Sequence, residues 1–367
     1  MGRVIRWGLW GTGRLAHHVA DDFARAAGSV LAAVGSRTAE RARDFAARHG
    51  VERHVAGLDA LLKDADLDAI YVASPNAMHV TDCLAVIAAG KALVCEKPFA
   101  LDAVGARQIA EAARARGVFC MEAMWTRFIP AVVDAKARID RGELGAARLL
   151  QGNFAYAVAP KSAPALFDPA AGGGALLDRG VYLVSLAHHF LGVPDEVDGI
   201  AQIDASGVDV QSTYQLGFAS GAVAAFSASL AVHGSNDFQV FGERGRLHLH
   251  DPFYRARRLS FQPSWVPPDE PASNAASSGW KAALRGSSAA QAARAALDPL
   301  LQRLSGRRTT SMSFAGHGYQ FELAEASRCI AAGLAESPVM PLFESIAVME
   351  TLDALRQSFA AKRGPGR

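Results

Sequence analysis

The run ALVCE ends in Glu96-Lys97-Pro98, a cation and an imino acid where a buried strand would finish. The carboxyl ends of strands in an open α/β sheet face the ligand crevice, so an ammonium there could reach a substrate oxygen. Pro98 fixes its own φ, and a cis bond before it would aim the lysine. A second segment, GGGALLDRGVYLVSLAHHF at 172–190, carries Asp178 and Tyr182 at i and i+4. On a helix those two share a face. A free phenol, with a pKa of about 10, is a poor base at neutral pH, but a nearby ammonium favours the phenolate. Lys97 and Tyr182 therefore explain one another as a pair that moves a proton, with Asp178 orienting either group.

Proton transfer at a strand end calls for a partner in the crevice. GLWGTGRLA at 8–16 contains Gly11-x-Gly13-x-x-Ala16 between an apolar strand and a helical pattern. Gly11 permits a tight turn, Gly13 lets backbone approach a pyrophosphate, and Ala16 lets helix and strand pack closely. Thr12, Arg14 and Leu15 share that turn and are candidate cofactor contacts. An NAD-specific chain places an acid about 20 residues past the glycines. Here Ser36-Arg37-Thr38 ends the second strand, and a hydroxyl with a guanidinium favours a 2′-phosphate, hence NADP over NAD. Ser36 or Thr38 also reads as a helix cap. SPNAMH at 74–79 places Ser74, Pro75 and Asn76 at the next crevice edge, towards ribose and nicotinamide. His79 and Glu96 join the same set, although His79 reads equally as an ordinary helix-start residue.

The elements that must hold these groups follow from periodicity. Up to residue 123, apolar strands (RVIRWG, VLAAVG, DLDAIYVAS, KALVCE, VFCMEA) alternate with amphipathic helices. That pattern predicts a parallel sheet covered on both faces. After residue 124 the strands LGAARLLQGNFAYAV, EVDGIAQID, QSTYQLGFA, GAVAAFSASLAV and DFQVFGERGRLHLH predict an antiparallel sheet, with a helix over about 173–191 and two late helices. With 367 residues, two domains are expected, 1–123 and 124–367. Residues 263–312, rich in Ala, Ser, Arg and Pro, read as an insertion whose middle has the composition of a helical flap. The net charge of +2 points away from nucleic-acid or membrane partners. Four scattered cysteines show no zinc spacing and read as reduced thiols of a cytoplasmic protein, and no signal peptide or spanning segment is expected. His248 and His250 share a strand face without a third ligand, so no metal is expected.

GLWGTGRLA, SPNAMHV, EKPFAL, MEAMWTRFIPA, GGGALLDRGVY and ESPVMPLFES together resemble the glucose–fructose oxidoreductase/inositol dehydrogenase (Gfo/Idh/MocA) family. MEAMWTRF and the ESPVMPLFES tail look most like its dimeric dihydrodiol dehydrogenase branch, which is also associated with NADP-linked D-xylose oxidation. The resemblance implies a Rossmann domain followed by an α+β domain with an open-faced, mostly antiparallel sheet, and a site between them. It puts the family's lysine on Lys97, its tyrosine on Tyr182 and its aspartate on Asp178. It further implies an aromatic pocket at Trp125 and Phe154, with Arg127 beside it contacting cofactor or substrate, and a homodimer. Arg179 departs from the pattern, which leads one to expect an apolar residue there. The expectation is an NADP-dependent oxidoreductase acting on a sugar, polyol or vicinal diol. A glycosidase that uses NAD for transient oxidation and a non-catalytic dinucleotide-binding regulator are the rival readings.

Overall fold

A computed structural model describes residues 3–264 and 306–362 of the chain. The chain opens with β1 (Ile5–Trp10), α1 (Arg14–Phe23), β2 (Ser29–Ser36) and α2 (Ala39–His49). Two elements that periodicity had not predicted follow, β3 (Arg53–Ala56) and α3 (Leu58–Leu62). Strand β3 is four residues long and half exposed, an edge strand with no apolar run to announce it. Then come β4 (Ala69–Val72), α4 (His79–Ala88), β5 (Ala92–Glu96), α5 (Ala103–Arg116) and β6 (Cys120–Ala123). The sheet is wholly parallel, in the order β3-β2-β1-β4-β5-β6. Strands β4, β5 and β6 are buried at every position, which is why they read as nearly unbroken apolar runs. Strand order reverses between β1 and β4, and a crevice opens outside their carboxyl ends.

Pro130 starts an unpredicted helix, α6 (Pro130–Asp140), in its first turn, where a missing N–H costs nothing. A second sheet follows: β7 (Ala147–Ala155), then α7 (Val181–Leu191), β8 (Glu196–Ile203), β9 (Asp209–Gly217), β10 (Val223–Ser229), β11 (Phe238–Gly242), β12 (Gly245–Leu249), β13 (Arg258–Pro263) and β14 (Arg308–Ser311). Its order is β14-β13-β12-β11-β7-β10-β9-β8. Neighbours run antiparallel except β7 and β10, a parallel pair at the centre that the sequence reading had taken as antiparallel. Along β9 and β10, Ser212, Tyr214, Leu216, Ala224, Phe226 and Ala228 point into the core, and their alternates, apart from buried Ser229 at the strand end, are exposed or half-buried, so one face stays open. The stretch read as an insertion begins in β13 and ends in β14, which pair at the sheet edge. Residues 265–305, where the flap was expected, lie outside the described residues.

The last two helices, α8 (Tyr319–Ala331) and α9 (Leu342–Lys362), return to the first sheet. Trp7 Nε1 donates to Ser327 Oγ (3.0 Å), and the Asp353 carboxylate accepts from Ala103 N (2.8 Å). Buried Asp22, from α1, accepts the backbone N–H groups of His317, Gly318 and Tyr319 at 2.8–3.0 Å, and so holds the start of α8. No helix among the described residues is long and apolar enough to cross a membrane. Replacing Asp22 with Ala strands three backbone donors, two of them buried, so D22A is expected to lower unfolding stability by roughly 2–4 kcal/mol in a denaturant titration.

Candidate active site

At the end of β1, Gly11 has φ +114°, and a Cβ there would lie 2.4 Å from the Ala73 carbonyl oxygen. Only glycine tolerates that approach. Gly13 caps α1 with no side-chain hydrogen bond and no acid in the first turn, and a Cβ there would meet only open space within 4 Å. The amides of Gly13, exposed Arg14 and half-buried Leu15 begin a ten-residue helix and suit an anion. Thr12 and Ser36 share a hydroxyl hydrogen bond (3.1 Å), so Ser36 is buried against the glycine turn. Thr38 caps α2 by accepting from Arg41 N (3.4 Å). Arg37 is exposed beside them. A shallow cavity of about 270 Å³ lies between Thr12 and the α2 cations Arg41 and Arg48, which sequence reasoning had not picked out.

Across the crevice, Ser74, Pro75 and Asn76 leave β4, and the Ser74 hydroxyl is buried without a hydrogen-bond partner among the described residues. His79 is fully buried, its two ring nitrogens facing the carbonyls of Pro98 (2.8 Å) and Ser74 (3.0 Å). Burial holds its pKa below the usual range, so the neutral ring donates to one of the two. His79 thus tethers two strand-end loops and offers no free nitrogen to a cofactor, contrary to the expected contact.

Beyond Glu96 the chain turns at Lys97, and the Lys97–Pro98 bond is cis, as the sequence suggested. Lys97 Nζ donates to the main-chain oxygen of Asp178 (2.9 Å) and to its Oδ1 (3.0 Å), and lies 4.9 Å from the centre of the Tyr182 ring. Asp178 occupies a π-helical turn, Leu176–Gly180, that runs straight into α7, and Tyr182 sits in the first turn of that helix. The entry is fixed by Asp209, whose Oδ2 accepts from Leu176 N (2.6 Å). Its Oδ1 lies so close to Gly174 (φ +110°) that a Cβ there would fall 2.2 Å away.

Burial pushes the Lys97 pKa down, but the Asp178 charge leads the opposing influences and carries it above that of a free lysine. Burial works against the Asp178 carboxylate too, yet Lys97, Arg179 and Arg14 hold its pKa below the usual range. For Tyr182 burial wins: its pKa is pushed up to about 12 although Lys97 pulls it down. The influence of Lys97 has the expected sign and is outweighed in the ligand-free protein. Tyr182 is therefore a neutral phenol at neutral pH.

An aromatic wall encloses the pair. Trp125 Nε1 donates to the Tyr182 hydroxyl (3.1 Å) and stacks on Tyr319, ring centres 4.7 Å apart. Phe154 packs edge-on to Tyr182 at 5.3 Å and stacks on Tyr254 at 4.6 Å. Trp125 and Phe154 both belong to this wall, and Tyr254 and Tyr319 complete it. Arg127 does not line it. Its guanidinium is fully buried, donating to Ser185 Oγ (2.8 Å), the Ser185 carbonyl (2.8 Å) and Val339 O (3.2 Å) and pairing with Glu344. The expected substrate contact is replaced by an internal ion pair that ties the Trp125 turn to α7 and α9.

Behind Lys97 lies a buried acid pair. Tyr71 Oη is 2.6 Å from Glu96 Oε1 and 2.9 Å from Glu322 Oε1. One hydroxyl hydrogen serves only one of them, so the second carboxyl must carry its own proton. Burial pushes Glu322 well up and Glu96 to about 7, which makes Glu322 the donor to Tyr71 and Tyr71 the donor to Glu96. Glu96 therefore faces inward and supports Lys97, whose N–H it accepts (3.2 Å). His248 pairs with Asp237 (2.9 Å) and stacks on His250, and the described residues contain no cluster of His, Cys, Asp and Glu able to hold a metal.

Residues 5–124 match the oxidoreductase family with an NAD-binding Rossmann fold, and 132–248 match the GFO/IDH/MocA C-terminal domain. A trans-1,2-dihydrobenzene-1,2-diol dehydrogenase from Sus scrofa is 31% identical over 68% of this chain and 75% of its own. The chain belongs to the Gfo/Idh/MocA family. It is an oxidoreductase with a nicotinamide-dinucleotide-binding Rossmann domain. The dihydrodiol dehydrogenase of Bos taurus matches over 97% of both chains at 28% identity. The fold is shared with a levoglucosan dehydrogenase solved with NADH and levoglucosan (TM-score 0.80, 22% identity, 97% of each chain). It is also shared with a 3-ketoreductase from Actinomadura kijaniata solved with NADP (0.75, 23%, 96% of this chain and 97% of that one).

Removing one member of a buried pair leaves the other charge uncompensated. Arg127→Met is expected to cost about 3–5 kcal/mol in chemical denaturation while changing cofactor affinity less than about threefold.

Proposed function

We propose that the protein is an NADP-dependent dehydrogenase that moves hydride between the nicotinamide and a vicinal diol, polyol or sugar. The observation that carries the proposal is the Lys97 ammonium 4.9 Å from the Tyr182 ring, held by Asp178 at the carboxyl edge of the parallel sheet. The full-length relatives named for dihydrodiol oxidation support the substrate class.

The residues at hand fit the dinucleotide. Gly11, Thr12, Gly13, Arg14 and Leu15 form the pyrophosphate cradle at α1, where no acid opposes an anion. Arg37 and Arg41 supply cations for a 2′-phosphate, and the unpartnered Ser74 hydroxyl, with Pro75 and Asn76, suits the ribose side. Bound there, the cofactor supplies the hydride acceptor or donor. Lys97 keeps its proton and donates a hydrogen bond to the reacting oxygen, while Asp178 fixes its direction. Tyr182 exchanges the hydroxyl proton. As a neutral phenol it is ready to donate in the reducing direction; in oxidation it must first lose its proton. Trp125, Phe154, Tyr254 and Tyr319 exclude water and offer ring faces to the C–H surface of a sugar or diol. The open polar face of the second sheet is the proposed homodimer contact. Four buried free thiols suit a reducing, cytoplasmic setting.

Reduced-nicotinamide absorbance with a panel of sugars and diols tests the reading. Lys97→Met and Tyr182→Phe are each expected to cut turnover by about 10²–10⁴-fold with NADP affinity near normal; unchanged rates in both would refute the roles. Because deprotonation of Tyr182 is uphill below about pH 12, oxidation kcat/KM should climb with pH from neutral into the alkaline range. A flat profile would exclude Tyr182 as the base. Arg37→Asp is expected to weaken NADP binding by about 10–100-fold and leave NAD binding little changed, since it removes one charge-assisted contact; equal NADP affinity by titration would place the 2′-phosphate elsewhere.

A further inference from the structure

We infer that Arg179 is a positioning residue for the proton-transfer pair, acting through Asp178; this rests on the roles of Lys97, Asp178 and Tyr182 proposed above. Arg179 follows Asp178 in the π-helical turn and is 5% exposed. A buried guanidinium is costly unless the fold uses its charge and its donors. Its Nη1 donates to the carbonyls of Tyr156 and Ser229. Those carbonyls lie at the ends of β7 and β10, the parallel pair at the sheet centre, and Tyr156 N itself donates to Ser229 O (3.3 Å). The guanidinium carbon sits 5.9 Å from the Phe154 ring centre and 6.0 Å from that of Tyr156, so aromatic faces flank it. The turn that carries Asp178 is thereby pinned to two interior strands of the second sheet.

The other edge of the guanidinium faces Asp178, with Arg179 Nε 3.7 Å from Oδ2. Lys97 holds Oδ1 and the main-chain oxygen of the same residue. Each carboxylate oxygen thus has its own cation, Lys97 arriving from the end of β5 and Arg179 from the turn itself. Arg14, at the start of α1, adds a further positive charge, and Tyr182 faces the group from α7 as a neutral phenol. Two opposed cations set the rotation of the carboxylate as well as its ionisation. That rotation decides where the Lys97 ammonium points. The two jobs of Arg179 are separable: any N–H donor could serve the strand-end carbonyls, but only a cation serves Asp178.

Two variants divide them. Arg179→Gln keeps N–H donors and loses the charge, whereas Arg179→Lys keeps the charge and loses the fork. R179Q is expected to lower kcat by about 10–100-fold with the NADP dissociation constant within about threefold, and R179K to recover most of the loss. In an Asp178→Asn background R179Q should cost less than about threefold further, because its route of action is already cut. The ¹³C carboxyl resonance of Asp178 should titrate about one unit higher in R179Q and close to wild type in R179K. Fully additive losses with D178N, or an unmoved Asp178 midpoint, would overturn the inference. So would failure of both variants to fold, which would make Arg179 a structural strut alone. If the wild-type protein shows no nicotinamide-linked turnover, the functional reading fails, and the Asp178 midpoint alone decides the role of Arg179.

Discussion

The site depends on one ion pair, Lys97 with Asp178, sequestered where two sheets meet. The lysine side chain is 10% exposed and the aspartate 27%. Charges withdrawn from water this far are tolerated only when geometry and additional hydrogen bonds repay the lost hydration. Here the ammonium gains two acceptors from one residue, and the carboxylate is faced by a second cation. The lysine follows the end of β5 and the aspartate lies on the approach to α7, so neither sheet alone holds the pair. Assembly of the two creates it.

Around that pair the structure stores protons selectively. Burial raises Tyr182 and the acids behind Lys97, while the ammonium and Asp178 remain charged because they face one another. The result is a neutral phenol next to a fixed cation. The Glu322–Tyr71–Glu96 chain adjoins the lysine through Glu96, so its net charge contributes to the field there. The aromatic wall keeps the dielectric low, which lengthens the reach of every one of these charges.

Much of this was legible in the sequence where local rules apply. The glycine turn, the inner strands and the Lys97/Asp178/Tyr182 set each follow from a short motif or a clean period. Strand β3 and helix α3 were not, because four half-exposed residues leave no apolar run. The parallel pairing of β7 with β10 was missed because alternation specifies a face and says nothing of direction. Arg127 was misread since its position beside Trp125 suggests the pocket, whereas its partners, Ser185, Val339 and Glu344, lie far along the chain. Tyr254 and Tyr319 reach the wall by tertiary folding alone, and a lone tyrosine carries no local signature. Arg179 stood out as an anomaly, but its anchors at Tyr156 and Ser229 are visible only in three dimensions.

The return of α8 to the first sheet has a consequence for biosynthesis. Trp7 and Tyr71 find their polar partners on α8, Ser327 and Glu322, at the far end of the polypeptide. While the ribosome is still making the second sheet, the amino-terminal sheet has on one flank an indole N–H without its acceptor and a Tyr71 oxygen that has Glu96 but not yet Glu322. The nascent chain must carry that raw flank until its final helices emerge. A truncated amino-terminal half, although it holds every glycine of the dinucleotide turn, would be a sticky fragment.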